Sequence, residues 1–510
     1  MGAGRVAPAA EVCRALLARD HDPSVEGSAR ICLGHVLLAG GRPLDGLREL
    51  ERAAGSPLLT TAERARAWAW AAYARLSLVD LEGASATARK ACSTAPADPV
   101  ATSVATAMSA IVSLVRGHLT KALEVINDAV RLADQSPGRQ GHRFPIHAVR
   151  GFILIELDRL EEARATSAAG SRICEELGLG WHLPSYQMVR VSERFVTGEW
   201  DDAIAEVEAS AGLADETGQA LGLILGRSVL SLISLHRNDL SRAEEAAAAA
   251  MGQPVETGAR YRTQWAVWAR ALILEADGKT ADALETLAGC WDRCAQLGLT
   301  LEYRMLGADL VRLALACGDR GRARDAAAAV AELADENQEV PSLAGAALRC
   351  RGLAEDDAEI LHAAVRAYGS AARPLELALA SEDTGAAFAR QGKTGQARPL
   401  LHQAIEIYER LDAARDLARA EALLRAAGIR RGRRGLRGRP QIGWASLTST
   451  ERTVAGLVAE GLSNPRIGDR LYISRRTVQT HLAHVFAKLD ITSRAQLAAL
   501  VTQHRDGQPG

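Results

Sequence analysis

A short motif recurs along most of this chain at spacings of 35 to 41 residues. Each copy is a turn, usually opened by glycine, with a small residue five positions later that begins an amphipathic segment. The copies end at Gly46, Ala84, Ala122, Ala163, Ala203, Ala243, Ala283, Ala323 and Ala397, with a weaker copy at Ala358. A fixed period of this length is typical of solenoids, whose helical hairpins bury their apolar faces only against their neighbours. It predicts an all-α solenoid over residues 1–427.

The composition favours the same fold. Apolar residues make up 48% of the 510 residues but aromatic residues only 4%, so alanine and leucine supply the core, which suits packed helices. The hairpins resemble lengthened tetratricopeptide repeats over residues 26–427. That resemblance implies a surface for binding or scaffolding; the alternative is a helical body that binds nothing.

The charge is distributed unevenly. Residues 430–510 contain 14 Arg and Lys against 5 Asp and Glu, while the whole chain has 61 against 62. A basic tail therefore follows an acidic body. The linker, residues 428–445, is rich in arginine and glycine, which keep a segment extended. Its candidate phosphate contacts are Arg430, Arg431, Arg433, Arg434, Arg437 and Arg439; a solvated hinge is the alternative.

No pattern of catalytic or cofactor-binding residues is evident in the sequence. Two "GKT" turns lack the glycine that a phosphate-binding loop needs, because Ile273 and Ala387 occupy that position. Among the eight cysteines only Cys290 and Cys294 are close, and no second pair completes a metal site. The sequence therefore predicts a protein that is not an enzyme, with no cofactor, no metal site and reduced thiols.

Membrane and export signals are also lacking. The N-terminal residues contain no apolar signal-peptide segment, and Arg227 interrupts the most apolar stretch of the chain. We expect a cytoplasmic protein with no membrane contact.

The last sixty residues predict four short helices, a domain over residues 446–505. Thr448 with Glu451 forms a capping box, Ser463 and Ser474 precede the second and third helices, and Ser493 precedes the fourth. A turn of three residues or so between the second and third helices is typical of a helix-turn-helix.

The third helix, residues 474–489, has a distinctive face. With 100° per residue, Val478, Leu482, Val485 and Leu489 form a buried stripe. The opposite side holds Arg476, Thr480, Ala483 and Ala487 with Gln479 at its edge, and one flank holds Thr477, His481 and Lys488. Short and hydrogen-bonding side chains suit entry into the DNA major groove, whereas the alternative is an ordinary solvated face.

The segment "LTSTERTVAGLVAEGLSNPRIGDRLYISRRTVQTHLAHVFAKLDITSRAQL" resembles the LuxR-type helix-turn-helix of bacterial transcription regulators. The resemblance implies that the third helix reads the major groove and that the fourth supports a homodimer on DNA. Candidate base-reading residues are Gln479, Thr480, Ala483 and Arg476, and candidate phosphate contacts are Thr477, Lys488, Arg475 and His481. The sequence departs from the family pattern at Thr450, Gly468 and Gln479.

Together these features predict a transcriptional regulator that binds double-stranded DNA. The chain resembles the C-terminal part of the large ATP-binding regulators of the LuxR family, but without a counterpart of their ATPase module, so we do not expect ATP-driven switching. We expect the repeats to bind a small-molecule or protein effector and to control the terminal domain. We also expect the acidic body to hold the basic tail against itself, in competition with DNA. The alternative is a repeat scaffold with a vestigial DNA-binding domain.

Overall fold

The computed structural model describes residues 5–19, 23–220, 222–257, 260, 262–429, 442–471 and 473–506, and no β-strand occurs among them. The α-helices are α1 (Val6–Leu17), α2 (Pro23–Ala39), α3 (Pro43–Ala54), α4 (Thr61–Ser77), α5 (Leu81–Thr94), α6 (Pro99–Val115), α7 (Leu119–Gln135), α8 (Ile146–Glu156), α9 (Leu160–Glu176), α10 (Leu183–Thr197), α11 (Trp200–Thr217), α12 (Leu223–His236), α13 (Leu240–Thr257), α14 (Thr263–Ala276), α15 (Thr280–Leu297), α16 (Tyr303–Ala316), α17 (Arg320–Asp335), α18 (Pro341–Glu355), α19 (Ala358–Gly369), α20 (Pro374–Arg390), α21 (Thr394–Leu411), α22 (Ala414–Ala426), α23 (Ser449–Ala459), α24 (Asn464–Leu471), α25 (Arg475–Leu489) and α26 (Arg494–Asp506).

The repeat motif marks the turn of each helical hairpin. Helices α2 to α21 pair in sequence into ten antiparallel hairpins, and the motif ends inside the second helix of each pair. The residue that opens nine of the ten motifs has a positive φ, for example Gly198 at 81° and Asn238 at 66°. In the weaker copy the positive φ falls on Asp356 instead. The small residue is buried in every copy, because the two helices of a hairpin pack closely there.

Contacts between distant hairpins close the solenoid on itself. The Asn337 side-chain amide donates to the carbonyl of Gly117 at 2.8 Å, and its oxygen accepts from the Leu119 N–H at 3.2 Å. Arg373 donates to Asp158 at 2.6 Å and to the carbonyl of Ile155 at 2.7 Å. These partners are more than 200 residues apart in sequence, so the hairpins wind into a superhelix that surrounds an interior space.

The predicted all-α solenoid followed by four short helices is confirmed. Helix α1, which packs on α2, was not predicted. The six arginines of the linker lie outside the described residues. None of the described helices combines the length and the apolar character that crossing a membrane requires.

Candidate nucleic-acid interface

Helices α23 to α26 enclose a small core of their own. Val454, Val478, Val485 and Leu497 are fully buried within it. Three of the four residues of the predicted stripe on α25 are buried, and Leu489 is partly buried. The 3.6-residue period therefore placed this helix correctly against the other three.

The predicted helix caps on α23 and α25 are confirmed. The Thr448 hydroxyl accepts from the Glu451 N–H at 2.9 Å, while the Thr448 N–H donates to the Glu451 carboxylate at 2.7 Å. Ser474 accepts from the Thr477 N–H at 2.9 Å. These side chains satisfy helix N–H groups that have no partner within the helix.

The other two predicted caps also precede their helices. Ser493 accepts from the Gln496 N–H at 3.2 Å, and the Gln496 side chain accepts from the Ser493 N–H at 3.1 Å. The carbonyl of Ser463 accepts from the Ile467 N–H, as expected for the residue before α24. Helix α26 continues to Asp506.

The face of α25 predicted to read bases is open to solvent. Gln479 and Ala483 are exposed, as are Arg475 and Arg476, and Thr480 is half-buried with its hydroxyl donating to a backbone carbonyl of its own helix. These residues remain candidate DNA contacts.

The flank of α25 predicted to touch phosphate packs instead against helix α11 of the solenoid. The Thr477 hydroxyl donates to Glu206 at 3.2 Å, and His484 Nε2 lies 3.1 Å from Glu208. Both Thr477 and His481 are fully buried. Carboxylates thus occupy the side of this helix where the sequence predicted DNA phosphates.

Two further contacts extend the same interface. Arg476 forms an ion pair with Glu216 at 2.6 Å, with 44% and 62% of the side chains exposed. The Arg476 guanidinium lies across Gly212, where even a Cβ atom would overlap it. Because the ion pair is well exposed, its own contribution to docking is small.

The start of α23 also contacts α11. The Thr450 hydroxyl donates to Asp202 at 2.7 Å, and the Thr448 hydroxyl donates to the same carboxylate at 3.3 Å. Asp202 is 3% exposed. Hydrogen bonds to a desolvated carboxylate are among the stronger ones in proteins, so this pair of contacts is central to the interface.

Neighbouring charges favour the ionised form of a buried carboxyl group on the solenoid side of the interface. Burial opposes ionisation of Glu206, but the guanidiniums of Arg190 and Arg194, which lie 2.9 Å and 3.1 Å from it, outweigh burial and hold the pKa of this carboxyl below its ordinary value. Burial also lowers the pKa of His481, which favours its neutral form.

Lys488, predicted as a phosphate contact, has a partner within its own domain. Its ammonium lies 2.9 Å from both oxygens of Glu451, which is buried, and 3.8 Å from Asp201 of α11. In the sequence Glu451 is recognisable only as a helix cap, and its ion pair with Lys488 was not predicted.

The acidic helix α11 was not predicted as a partner of the terminal domain. Helix α11 contains six acidic residues and no lysine or arginine, and that one-sided composition was a usable signal. The sequence does not indicate which helix packs on α11, because the contacts to α25 join residues as many as 276 positions apart.

The fold also brings together Asp134, His142 and His147, whose sequence spacing gave no metal signal. One ligand atom from each lies within 4.8 Å of the others. His142 Nε2 is already hydrogen-bonded to Asp134 at 2.9 Å, and His147 Nε2 is buried with no hydrogen-bond partner in the described part of the chain. One internal hydrogen bond therefore joins two of the three residues, and His147 is not part of it.

The terminal domain is similar to domains of known proteins. Residues 445–501 match the family described as bacterial regulatory proteins, luxR family. An HTH-type transcriptional regulator of Mycobacterium tuberculosis is 64% identical over 64 residues, which are 12% of this chain and 7% of that protein. The DNA-binding transcriptional activator DevR/DosR of the same organism is 37% identical over 65 residues, 13% of this chain and 30% of that protein.

The solenoid has structural neighbours at low similarity. The crystal structure of the APC/C hetero-tetramer Cut9-Hcn1 covers 96% of this chain and 92% of that one at 11% identity and a TM-score of 0.33. The sequence matches to the first relatives span under a tenth of the length of those relatives. Residues 445–501 are therefore a helix-turn-helix domain of the luxR family of bacterial regulatory proteins, joined to an α-helical solenoid.

Proposed function

We propose that this chain is a DNA-binding transcriptional regulator whose solenoid masks its own recognition helix. The luxR-family domain supports the DNA-binding part of the proposal. The observation that carries the control part is the packing on the acidic helix α11, where α25 contacts Glu206 and Glu208 and the start of α23 contacts Asp202.

The charges at the interface explain why docking would compete with DNA binding. DNA contacts that fix the register of a recognition helix go mostly to phosphate oxygens. Here the flank that contains Thr477, His481 and Lys488 faces carboxylate oxygens of α11. A duplex cannot bring its backbone to that flank while α11 covers it, so docking and DNA binding compete.

Release requires a ligand or partner that prefers the undocked state, since only a difference in affinity shifts an equilibrium. The repeats are the proposed site for such an effector. On DNA we propose a homodimer through α26, as the family resemblance implies.

A glycine on α11 provides the test. Gly212→Arg places a bulky cation where the Arg476 guanidinium lies, so the domain should undock and the full chain should bind DNA more tightly. Gly289→Arg is the control, because Gly289 also lies within a helix, is exposed, and has no atom within 4 Å of an added Cβ. The DNA would be a duplex selected in vitro by the fragment 430–510.

The outcomes separate the two parts of the proposal. If fragment 430–510 selects no duplex at low salt, the DNA-binding function is wrong, and a repeat scaffold with a vestigial domain becomes the better account. If the fragment binds but Gly212→Arg leaves the affinity of the full chain at the level of Gly289→Arg, the masking is wrong.

A further inference from the structure

A large cavity lies inside the superhelix. Its volume is about 600 Å³, within the range of small-molecule sites. Its walls are formed mainly by the first helices of successive hairpins, from α8 to α20, together with α22. It is thus enclosed by the turn of superhelix that the contacts of Arg373 with Asp158 help to close.

Most charges in the cavity wall already have partners. Arg349 donates to Asp383 at 2.7 Å, and Arg419 donates to both oxygens of Glu382 at 2.6 Å and 2.7 Å. His236 Nδ1 lies 2.7 Å from Asp416. A ligand with several charges would have to break such pairs, and breaking a buried pair is costly.

Arg415 is the exception. It lines the cavity, is half-buried, and forms neither an ion pair nor a hydrogen bond with any residue in the described part of the chain. Burial lowers the pKa of this guanidinium, but arginine remains charged in proteins. Among the described residues, Arg415 is therefore the cation of the cavity wall that is available for an anionic group.

Aromatic side chains form another part of the wall. Trp265 and Trp268 meet edge to face with ring centroids 6.0 Å apart, and Phe195 contacts Trp265 at 5.9 Å. The Trp268 N–H already donates to Asp309 at 2.9 Å, which fixes that ring. Such a wall suits a flat apolar body rather than a flexible chain.

We propose that this cavity binds a small organic anion with a single carboxylate and a flat aromatic body, held by Arg415 and by the two tryptophans. One carboxylate matches one unpaired guanidinium, and planar bidentate pairing with carboxylate is the preferred geometry of arginine.

The cavity wall is also adjacent to α11. Phe195 and His236 both stack on Trp200, the buried first residue of α11, at centroid distances of 6.5 Å and 5.6 Å. Arg237 donates to Asp201 at 2.7 Å. A single layer of side chains thus separates the ligand from the helix that holds the recognition helix. This coupling rests on the proposed function, whereas binding in the cavity does not.

The test uses the full chain and three probes, benzoate, phenylacetate and indole-3-acetate, each compared with its neutral amide. Ligand-observed NMR at millimolar concentration should show saturable binding of at least one carboxylate and at least about tenfold weaker binding of its amide. Arg415→Gln should weaken binding of the carboxylate by a similar factor, and Arg415→Lys should retain part of the affinity for it. Arg410→Gln, at an exposed position on α21, is the control, and thermal unfolding checks that each variant is folded.

Three results would overturn the assignment: no saturable binding of any of the three carboxylates, equal binding of acid and amide, or unchanged binding by folded Arg415→Gln. The coupling is tested separately by DNA affinity with and without the bound carboxylate. Binding without any change in DNA affinity refutes the coupling and leaves the site in place. A chain that binds the carboxylate while its fragment 430–510 binds no DNA refutes the proposed function and leaves the site in place.

Discussion

Removing one hydroxyl at the docked interface should release the terminal domain from the solenoid. Thr450→Val keeps the shape of the side chain but deletes the 2.7 Å hydrogen bond to Asp202. A hydrogen bond to a charged group contributes about 1.5–3 kcal/mol, and Asp202 is too buried for water to replace the lost donor freely. The docking equilibrium should therefore shift toward the undocked state by about 10- to 150-fold.

The assay is fluorescence anisotropy with a selected duplex, applied to the full chain and to fragment 430–510. As long as the docked state predominates, the apparent affinity rises in proportion to the competent fraction. The full chain should bind at least about tenfold more tightly after Thr450→Val, while the fragment should be unchanged because it lacks Asp202.

Thr453→Val is the matched control. Thr453 is exposed on the same helix, and its hydroxyl donates only to the backbone carbonyl of Ser449. Equal changes in full chain and fragment would mean that Thr450 acts on DNA directly. No change in a full chain whose fragment binds DNA would show that this hydrogen bond does not restrain the domain.

Other expected outcomes concern the terminal domain by itself. Gln479→Ala and Thr480→Ala should relax preference at particular base pairs by about 1–3 kcal/mol, measured by binding to single-base variants of the duplex; a uniform loss on every sequence would place Gln479 outside the groove. Arg475→Ala should instead weaken all duplexes alike and flatten the slope of log affinity against log salt, and an unchanged slope would contradict a phosphate contact. Ser474→Ala should lower the free energy of unfolding of fragment 430–510 by about 1 kcal/mol in urea titrations, because the cap to Thr477 is lost; an unchanged midpoint would refute a stabilising cap.

Much of the fold could be predicted because its signals are local. The residues that open nine of the ten motifs adopt a positive φ, a conformation open to glycine and tolerated by Asn and Asp; Gly198 and Asn238 show both cases. The caps at Thr448 and Ser474 are similarly local. The spacing of these residues in sequence therefore determines hairpin boundaries and helix starts.

The interface between α11 and α25 could not be predicted in the same way. The acids of α11 have the spacing of an ordinary solvated face, and Asp202 meets Thr450 across 248 positions of sequence. The sequence predicted that the acidic body holds the basic tail. The net charge of so long a segment, however, does not indicate which of its helices makes the contact. The cavity depends likewise on the pitch of the superhelix, which is set by contacts such as that of Asn337 with Gly117.

The closing contact of Asn337 also bears on how this solenoid folds and varies. An open repeat array unfolds piecemeal, since each unit interacts only with its neighbours. Here Asn337 forms hydrogen bonds with backbone groups of Gly117 and Leu119, which lie about five hairpins earlier in the superhelix. Inserting or deleting a hairpin between them would move the amide out of reach of both groups and leave them without partners. The number of repeats between these points is therefore fixed, and the array should melt as a single cooperative unit rather than unravel from its ends.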